Sequence, residues 1–215
     1  MKVLELFAGS RSMGKAAEEL GHEVFSSDIN DFEKIDYVVN VLEFDVTKVP
    51  FVPDFIWASP PCTSFSGASI GYHWNVDNTP KTEGALLGLE IVGKTLEIIR
   101  YFQSINPNLI YFMENPRGKL RKLPIVAELP LTTVMYCQYG DNRMKPTDIW
   151  SNNLKSETNP TGFESRTCFN GNKACHHEAA PRGSRTGTQG RKGAYDRSRI
   201  PHELMLEVLK SCNRK

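Results

Sequence analysis

A short apolar segment that ends in two prolines and a cysteine constrains this chain more than any other feature. Phe55–Ala58 reads F-I-W-A, which suits a buried strand. Pro60 and Pro61 end that strand, since proline has no N–H to donate to a neighbouring strand and fixes φ. Cys62 then follows on a stiff loop at the carboxyl end of a strand, where open α/β sheets bind ligands. Its thiol is either a nucleophile or a buried structural group.

Composition limits the class of protein. The chain has 215 residues, enough for one domain with a core, and 26 basic against 25 acidic residues exclude an overall basic surface. Five cysteines without a paired framework argue against a disulfide scaffold. The amino terminus lacks the long apolar region of a signal peptide, and no run approaches the roughly 18 apolar residues of a membrane span. We therefore expect a cytoplasmic protein without a membrane partner.

The start of the chain is typical of a nucleotide-binding βαβ unit. Val3–Ala8 predicts a strand, Gly9 and Gly14 enclose a turn, and Lys15–Leu20 predicts a helix that ends at Gly21. Glycines in such a turn let the backbone approach a ligand. Two glycines are a weak signature, so a plain tight turn remains the alternative.

Acidic residues follow the next two predicted segments. Glu23–Ile29 predicts a strand with Asp28 near its end, where a carboxylate can accept hydrogen bonds from both hydroxyls of a ribose. Val38–Phe44 repeats this pattern less clearly and is followed by Asp45. Either carboxylate could instead cap a turn or a helix.

The rest of the chain alternates between predicted strands and helices. Ala68–Lys81 reads as a loop long enough to be a mobile lid. Further predicted elements are a long helix, a strand that runs into Glu114-Asn115-Pro116, a final strand pair and a terminal helix: Thr82–Gln103, Asn108–Met113, Thr132–Tyr139, Thr147–Trp150 and Pro201–Cys212. The alternation predicts an α/β fold with a mostly parallel sheet.

The segment before the last helix is polar and rich in glycine. Residues 182–199 carry six basic side chains, one acidic side chain and four glycines, which suits a phosphate backbone, although a solvated loop is the default interpretation. A C-x6-C-H-H cluster precedes them, formed by Cys168, Cys175, His176 and His177. These residues can supply three or four zinc ligands, or they are incidental residues of a polar loop.

Together these motifs resemble the cytosine-5 DNA methyltransferase family over most of the chain. Pro-Pro-Cys followed 52 residues later by Glu-Asn-Pro, behind an amino-terminal Phe-x-Gly, is a specific combination. The segments similar to the family's motifs are Leu6–Gly14, Asp28, Asp45, Ser59–Ser66, Glu114–Pro116, Arg143–Lys145 and Ser198–Pro201.

The resemblance implies a Rossmann-like methyltransferase fold that uses S-adenosylmethionine, with helices on both faces of the sheet. Residues 1–150 would form the catalytic core, 151–197 a reduced recognition segment that can bind zinc, and 198–215 a terminal helix packed back on the core. DNA is the expected partner. The predicted cofactor contacts are Phe7, Ala8, Gly9, Ser10, Met13, Gly14, Asp28, Ile29, Asp45 and Pro60.

The resemblance also implies the chemistry. Cys62 would add to C6 of cytosine, and Glu114 would protonate N3 or donate a hydrogen bond to it. Arg143 and Lys145 would hold the ring carbonyl and the adjacent phosphate. Because C6 is inaccessible in a duplex, the base would flip out, and Ala68–Lys81 would close over it.

The chain departs from the family pattern in several places. Arg11 and Ser12 stand in the usually glycine-rich motif, Lys145 replaces an arginine, and Ser198 replaces an asparagine. The interval of 47 residues at 151–197 is too short for a full recognition domain, which predicts low sequence specificity.

Several alternatives remain open at this stage. The first is the same chemistry on RNA or with another one-carbon donor, and the second is a catalytically silent DNA-binding module with this fold. Phage DNA modification and restriction–modification are both compatible roles in a bacterial or phage-infected host cell. The sequence leaves the oligomeric state open.

Overall fold

One twisted sheet forms the centre of the protein. The computed structural model describes residues 1–153, 164–178 and 193–212. Within them a seven-stranded sheet has the order β3-β2-β1-β4-β5-β7-β6. Strands β1 to β5 are parallel, and β7 is antiparallel to both of its neighbours. The strands are β1 (Lys2–Leu6), β2 (Glu23–Asp28), β3 (Tyr37–Val38), β4 (Phe55–Ala58), β5 (Ile110–Pro116), β6 (Leu131–Met135) and β7 (Pro146–Ser151).

Helices cover both faces of the sheet, as the α/β prediction requires. The described helices are α1 (Ser12–Glu19), α2 (Ile70–His73), α3 (Glu83–Ile105), α4 (Ala194–Ser198) and α5 (His202–Ser211). Apolar residues of α3 belong to one buried cluster, and those of α1 and α5 belong to a second one. In the described ranges no helix has both the length and the apolar character needed to cross a bilayer. The predicted Rossmann-like α/β fold, with a mostly parallel sheet and helices on both faces, is confirmed.

The strand register brings the predicted motifs to one edge of the sheet. Leu6 pairs with Ser27 and with Ala58, and Ala58 pairs in turn with Met113. The chain leaves β1 toward α1 on one face and leaves β4 toward α3 on the other. A crevice between the carboxyl ends of β1 and β4 is therefore expected, and ligands bind at such crevices.

Two predicted strands are shorter than expected. In the segment Val38–Phe44 only Val38 lies in a strand, because Asn40 accepts a hydrogen bond from the backbone of Leu42 and starts a 3-10 turn at Val41–Glu43. The segment predicted at 132–139 leaves the sheet after β6, and Tyr136–Tyr139 forms a 3-10 turn. This 3-10 turn places Tyr136 next to Glu114.

The loop predicted at 68–81 is anchored to the core at Trp74, and its closure over a base stays a prediction. It contains α2, and Trp74 after it is buried. The indole stacks on Phe65 with 5.8 Å between ring centroids, and its N–H donates to the carbonyl of Ser64 at 2.7 Å. Tyr72 in the same loop remains exposed. The anchor fixes the loop against the segment that follows Cys62.

Candidate active site

The loop that carries Cys62 is held by the neighbouring strand β5. The side-chain amide of Asn115, which is fully buried, donates to the carbonyl of Pro60 at 2.8 Å. Proline restricts the backbone on either side of that carbonyl. Cys62 itself is partly exposed. A solvent-accessible thiol on a rigid loop suits nucleophilic chemistry better than the structural alternative.

Two glycines allow the residues after Cys62 to pack closely. The backbone N–H of Lys119 donates to the carbonyl of Phe65 at 2.7 Å. A Cβ atom at Gly118 would lie 2.2 Å from that carbonyl oxygen, and one at Gly88 in α3 would lie 2.5 Å from the hydroxyl of Ser64. Both distances are shorter than any real contact, so larger side chains would displace this loop.

Glu114 is buried at the edge of the sheet next to this loop. Its Oε1 accepts a hydrogen bond from the hydroxyl of Tyr136 at 3.1 Å. Burial raises the pKa of Glu114, while the charge of Lys145 and hydrogen bonds from Tyr136 and Ser59 act in the opposite direction. A carboxyl group with a raised pKa can hold a proton at higher pH and donate it to a substrate.

Lys145 interacts electrostatically with both predicted catalytic groups. Its Nζ is 4.7 Å from the centre of the Tyr136 ring. Burial lowers the pKa of Lys145, whereas the negative charges of Glu114 and of the Cys62 thiolate raise it. The positive charge of Lys145 therefore favours the ionised form of Glu114 and opposes the effect of burial on that carboxyl group.

Arg143 has a different place from the predicted one. Its side chain is 1% exposed, and its Nε donates to Asp141 Oδ1 at 2.9 Å. One terminal nitrogen donates to the backbone carbonyl of Arg199 at 2.9 Å. A guanidinium held in this way connects the loop before β7 to the carboxyl-terminal segment. This burial argues against the predicted direct contact of Arg143 with substrate.

The glycine turn after β1 lies beside Asp28. Gly9 has φ of +48°, which favours glycine, and its N–H donates to Asp28 Oδ2 at 2.9 Å. Asp28 is partly exposed, and Ile29 next to it is 63% exposed. Phe7, which also has a positive φ, precedes the turn. Ala8 is buried, and its backbone N–H donates to the carbonyl of Ser27.

These residues fit an adenosine group. A partly exposed carboxylate can accept hydrogen bonds from vicinal ribose hydroxyls, and an exposed Ile29 offers an apolar surface to a purine. Asp28 Oδ1 also accepts from the backbone N–H of Asn30, as the capping alternative describes, and its contact with a ribose stays a prediction. The hydroxyl of Ser198 lies 3.8 Å from the position of a Cβ atom at Gly9, so the carboxyl-terminal segment reaches this turn. Ser10 is buried, and its hydroxyl lies 3.0 Å from that of Ser12.

Met13 and Gly14 lie elsewhere, which corrects their prediction as cofactor contacts. Met13 is fully buried in the cluster beneath α1 and α5, and its N–H donates to Glu5 Oε1 at 3.0 Å. A Cβ atom at Gly14 would lie 2.7 Å from Glu5 Oε2 and 3.0 Å from a guanidinium nitrogen of Arg11. Gly14 is therefore needed for packing of α1 against the buried side chains of Glu5 and Arg11.

Asp45 acts as a cap in the structure. Its carboxylate accepts hydrogen bonds from the backbone N–H of Thr47 at 2.9 Å and from the hydroxyl of Thr47 at 2.7 Å. These hydrogen bonds lower the pKa of Asp45. The capping alternative therefore describes the observed contacts, and the contact of Asp45 with an adenine amine stays a prediction.

A groove of about 760 Å³ lies beside the glycine turn. Ser10, Ser12 and Lys15 form one side, and the segments 139–142 and 199–203 form the other. Neither Asp28 nor Cys62 lines it. Because the groove does not contain the predicted reacting groups, we do not assign the reaction to it.

The predicted metal cluster forms with one change of membership. Cys168, Cys175 and His177 come together with Cys137, and their ligand atoms all lie within 4.8 Å of one another. His176 is exposed and does not belong to this group, which corrects its prediction as a ligand. Cys137 belongs to the 3-10 turn after β6, 31 positions before Cys168 in the sequence.

Sequence reasoning missed several residues of the site. Tyr136 and Ser59 contact Glu114, and the amide of Asn115 holds the Cys62 loop. Asn115 could have been found, since a buried amide directly after a predicted catalytic acid needs partners. For Cys137 the sequence offers one signal, the odd number of five cysteines. That number does not show which residues lie near Cys137.

Comparison with known proteins identifies the family. No protein-family model matches the chain. A probable DNA (cytosine-5)-methyltransferase of Frog virus 3 (isolate Goorha) is 32% identical over 229 residues, which cover 99% of this chain and 100% of the viral protein.

Two solved structures are also similar. A mutant DNMT2 from Spodoptera frugiperda is 19% identical with a TM-score of 0.45, and the match covers 79% of this chain and 55% of that protein. The Dnmt2 methyltransferase of S. pombe is 13% identical with a TM-score of 0.43, and the match covers 70% and 48%. The chain thus matches about half the length of these two proteins. From its identity to the viral protein along nearly the whole chain, the protein belongs to the cytosine-5 DNA methyltransferase family.

Proposed function

We propose that this protein transfers a methyl group from S-adenosylmethionine to C5 of cytosine in DNA, with low sequence specificity. The observation that carries the proposal is the buried Glu114, which lies beside Lys145 and on the strand that holds the Cys62 loop. Membership of the family supports the class of reaction.

Cys62 is the proposed nucleophile. C5 of cytosine is a weak nucleophile, so the reaction begins when the thiolate forms a bond to C6 and the ring electrons move toward N3. Lys145 favours the thiolate, since its positive charge interacts with Cys62. C5 would then bond to the methyl group as the bond between that group and the donor's sulfur breaks, which leaves S-adenosylhomocysteine. A base removes the C5 proton, the C5–C6 double bond forms again as the C6–sulfur bond breaks, the thiolate leaves, and N3 returns its added proton.

Glu114 is the proposed general acid. Addition of sulfur to C6 places negative charge on the ring, and a proton donated to N3 neutralises it. Burial holds the pKa of Glu114 above its usual value, which keeps a proton available for this step. The pKa of Tyr136 is raised well above its usual value by burial and by the charge of Glu114, so its hydroxyl remains a hydrogen-bond donor to the carboxyl group.

The cofactor would lie against the glycine turn. S-adenosylmethionine supplies an electrophilic methyl group when it is bound. Asp28 accepts hydrogen bonds from the ribose hydroxyls, Gly9 allows close approach of the backbone, and Ile29 covers the purine. Pro60, whose carbonyl is held by Asn115, forms the wall toward Cys62.

The target base must leave the duplex before Cys62 can reach C6. Tyr72 is exposed in the loop that follows the nucleophile, and we propose that this part of the loop covers the flipped cytosine. Residues 182–192, which carry most of the predicted basic run, lie outside the described residues, and their contact with phosphates remains a prediction. Modification of viral or phage DNA in a host cell is the role that we propose.

Labelled S-adenosylmethionine provides the experiment that tests this function. The protein is incubated with DNA and, separately, with RNA, and the digested nucleosides are identified by mass spectrometry. We expect 5-methylcytosine in DNA, and none with Cys62→Ala. Label found only in RNA, or transfer retained by Cys62→Ala, would contradict the proposal.

A further inference from the structure

Four side chains outside the reacting groups converge on one point. Cys137, Cys168, Cys175 and His177 each contribute one atom to a group in which all distances are within 4.8 Å. His177 Nδ1 lies 3.6 Å from Cys168 Sγ and 3.3 Å from Cys175 Sγ. The three thiols are free cysteines.

Two nitrogen–sulfur distances in this cluster are close to the edges of a metal tetrahedron. With zinc–sulfur bonds of about 2.3 Å and zinc–nitrogen bonds of about 2.0 Å, nitrogen and sulfur ligands lie about 3.6 Å apart and two sulfurs about 3.8 Å apart. A disulfide would instead bring two sulfurs to about 2.05 Å and leave the histidine without a role. The observed nitrogen–sulfur distances therefore suit four ligands around one ion.

Neighbouring amides point at the sulfur atoms. The side-chain amide of Asn172 donates to Cys168 Sγ at 3.3 Å, and that of Gln138 donates to Cys175 Sγ at 3.4 Å. N–H groups directed at sulfur stabilise thiolates, and such hydrogen bonds are usual around protein metal sites. This is a second observation, independent of the distances between the ligands.

We propose that Cys137, Cys168, Cys175 and His177 bind one zinc ion. Three thiolates and one imidazole form a closed tetrahedral set, which is typical of structural zinc and leaves no position for a substrate. Binding releases the thiol protons to solvent.

The ion would stabilise a segment that has almost no core of its own. In residues 164–178 the largest apolar side chain, Phe169, is 65% exposed. Backbone hydrogen bonds join this segment to the sheet edge at Met135 and to Asn142. So short a segment buries too little apolar surface to compensate for the entropy lost on ordering, and a metal ion supplies the missing free energy.

The site also has a connection to the proposed chemistry. Cys137 directly follows Tyr136, whose hydroxyl donates to Glu114, and the same connection between β6 and β7 carries Lys145. A zinc ion that joins Cys137 to residues 168–177 would therefore fix the position of Tyr136. This consequence rests on the proposed function, whereas zinc binding does not.

Metal content is the direct test. The protein is expressed with added zinc, purified without chelator and analysed by inductively coupled plasma mass spectrometry. We expect about one zinc per chain in the wild type and in the matched control His176→Ala, and a loss of most of the zinc in Cys137→Ser. Wild-type protein without zinc, or zinc lost from His176→Ala but kept by Cys137→Ser, would overturn the proposal.

A second measurement does not depend on a variant that folds. Wild-type protein refolded with cobalt(II) in place of zinc should show the strong visible absorption and the sulfur-to-cobalt charge transfer of a tetrahedral thiolate site. The weak spectrum of octahedral cobalt would overturn the assignment. Both readouts are independent of methyl transfer, so they separate failure of the metal site from failure of the proposed function.

Discussion

The side-chain amide of Asn115 donates to the carbonyl oxygen of Pro60 at 2.8 Å, so the strand that carries Glu114 also holds the loop that carries Cys62. The other polar atom of this amide, Oδ1, is buried and has no hydrogen-bond partner within the part of the chain that the structure describes. A single side chain thereby couples the positions of the proposed acid and the proposed nucleophile.

Removal of this hydrogen bond should slow catalysis much more than it weakens cofactor binding. We expect Asn115→Ala to lower kcat roughly 10- to 100-fold, because a small displacement of a reacting group has effects of this size. Asn108→Ala changes an exposed amide just before the same strand and should keep full activity. Steady-state kinetics and calorimetric titration with S-adenosylmethionine measure the two properties. Equal losses in kcat and in cofactor affinity would show that Asn115 acts on the whole fold.

Asp28 should determine affinity for the cofactor. Asp28→Ala removes the acceptor for two ribose hydroxyls and should weaken binding of S-adenosylmethionine more than tenfold. Asp31→Ala, which changes an exposed carboxylate three residues later, should have no effect. If calorimetry finds equal affinities for Asp28→Ala and the wild type, the ribose lies elsewhere.

Glu5 should make the stability of the protein depend on pH. Burial raises the pKa of Glu5 to about 7, above the ordinary value of 4.5 that it has in the unfolded chain. The folded state therefore holds more protons than the unfolded state between these values, and the free energy of unfolding falls as the pH rises through this range. The slope from one such group is at most about 1.4 kcal/mol per pH unit.

Urea titrations between pH 4.5 and 7.5 test this pH dependence. Glu5→Gln keeps the shape of the side chain without its charge, and its free energy of unfolding should decline less steeply than that of the wild type. Glu23→Gln, at an exposed position, should follow the wild type. Parallel curves for wild type and Glu5→Gln would mean that Glu5 has the same pKa in both states.

The elements that the sequence predicts well are those set by local patterns. The strand Phe55–Ala58 has the predicted bounds, and the long helix begins after Thr82, whose side chain caps it. A run of four apolar residues closed by prolines leaves few alternatives, and an apolar stripe over six turns is a strong helix signal.

The features that the sequence did not predict involve contacts between residues far apart in the chain. Cys137 lies in a cluster whose other members are 31 or more positions away in the sequence. Position 14 must be glycine because the side chains of Glu5 and Arg11 lie against it, and the prediction had assigned that space to a ligand. Periodicity describes which face of an element is buried, and it does not show which element lies opposite. The same limit explains why the sequence did not predict that Trp74, in a segment with the composition of a loop, stacks on Phe65.

Binding to DNA should depend strongly on salt and weakly on sequence. Residues 182–199 carry six basic side chains, and a contact to each phosphate releases counterions. Affinity for random duplexes should fall steeply between about 50 and 200 mM salt. Methylation mapped on random DNA should show a preferred context of at most about two or three bases around the cytosine. A long palindromic target would require a recognition surface that these residues do not provide.

The proposed reaction requires a covalent bond between Cys62 and the cytosine ring. With 5-fluorocytosine in the DNA, the fluorine cannot leave as a proton does, so the protein should remain attached to the base after methyl transfer. The adduct should require the methyl donor, survive denaturation, and form at least about 100-fold more slowly with Glu114→Gln. Cys212→Ala, which removes a buried thiol just after the last helix, serves as the control.

Peptide mass spectrometry of that trapped adduct is the most direct measurement. We predict that the modified base is attached to Cys62, that Cys62→Ser forms no adduct, and that Cys212→Ala forms it normally. An adduct mapped to any other cysteine, or one that persists in Cys62→Ser, would contradict the account.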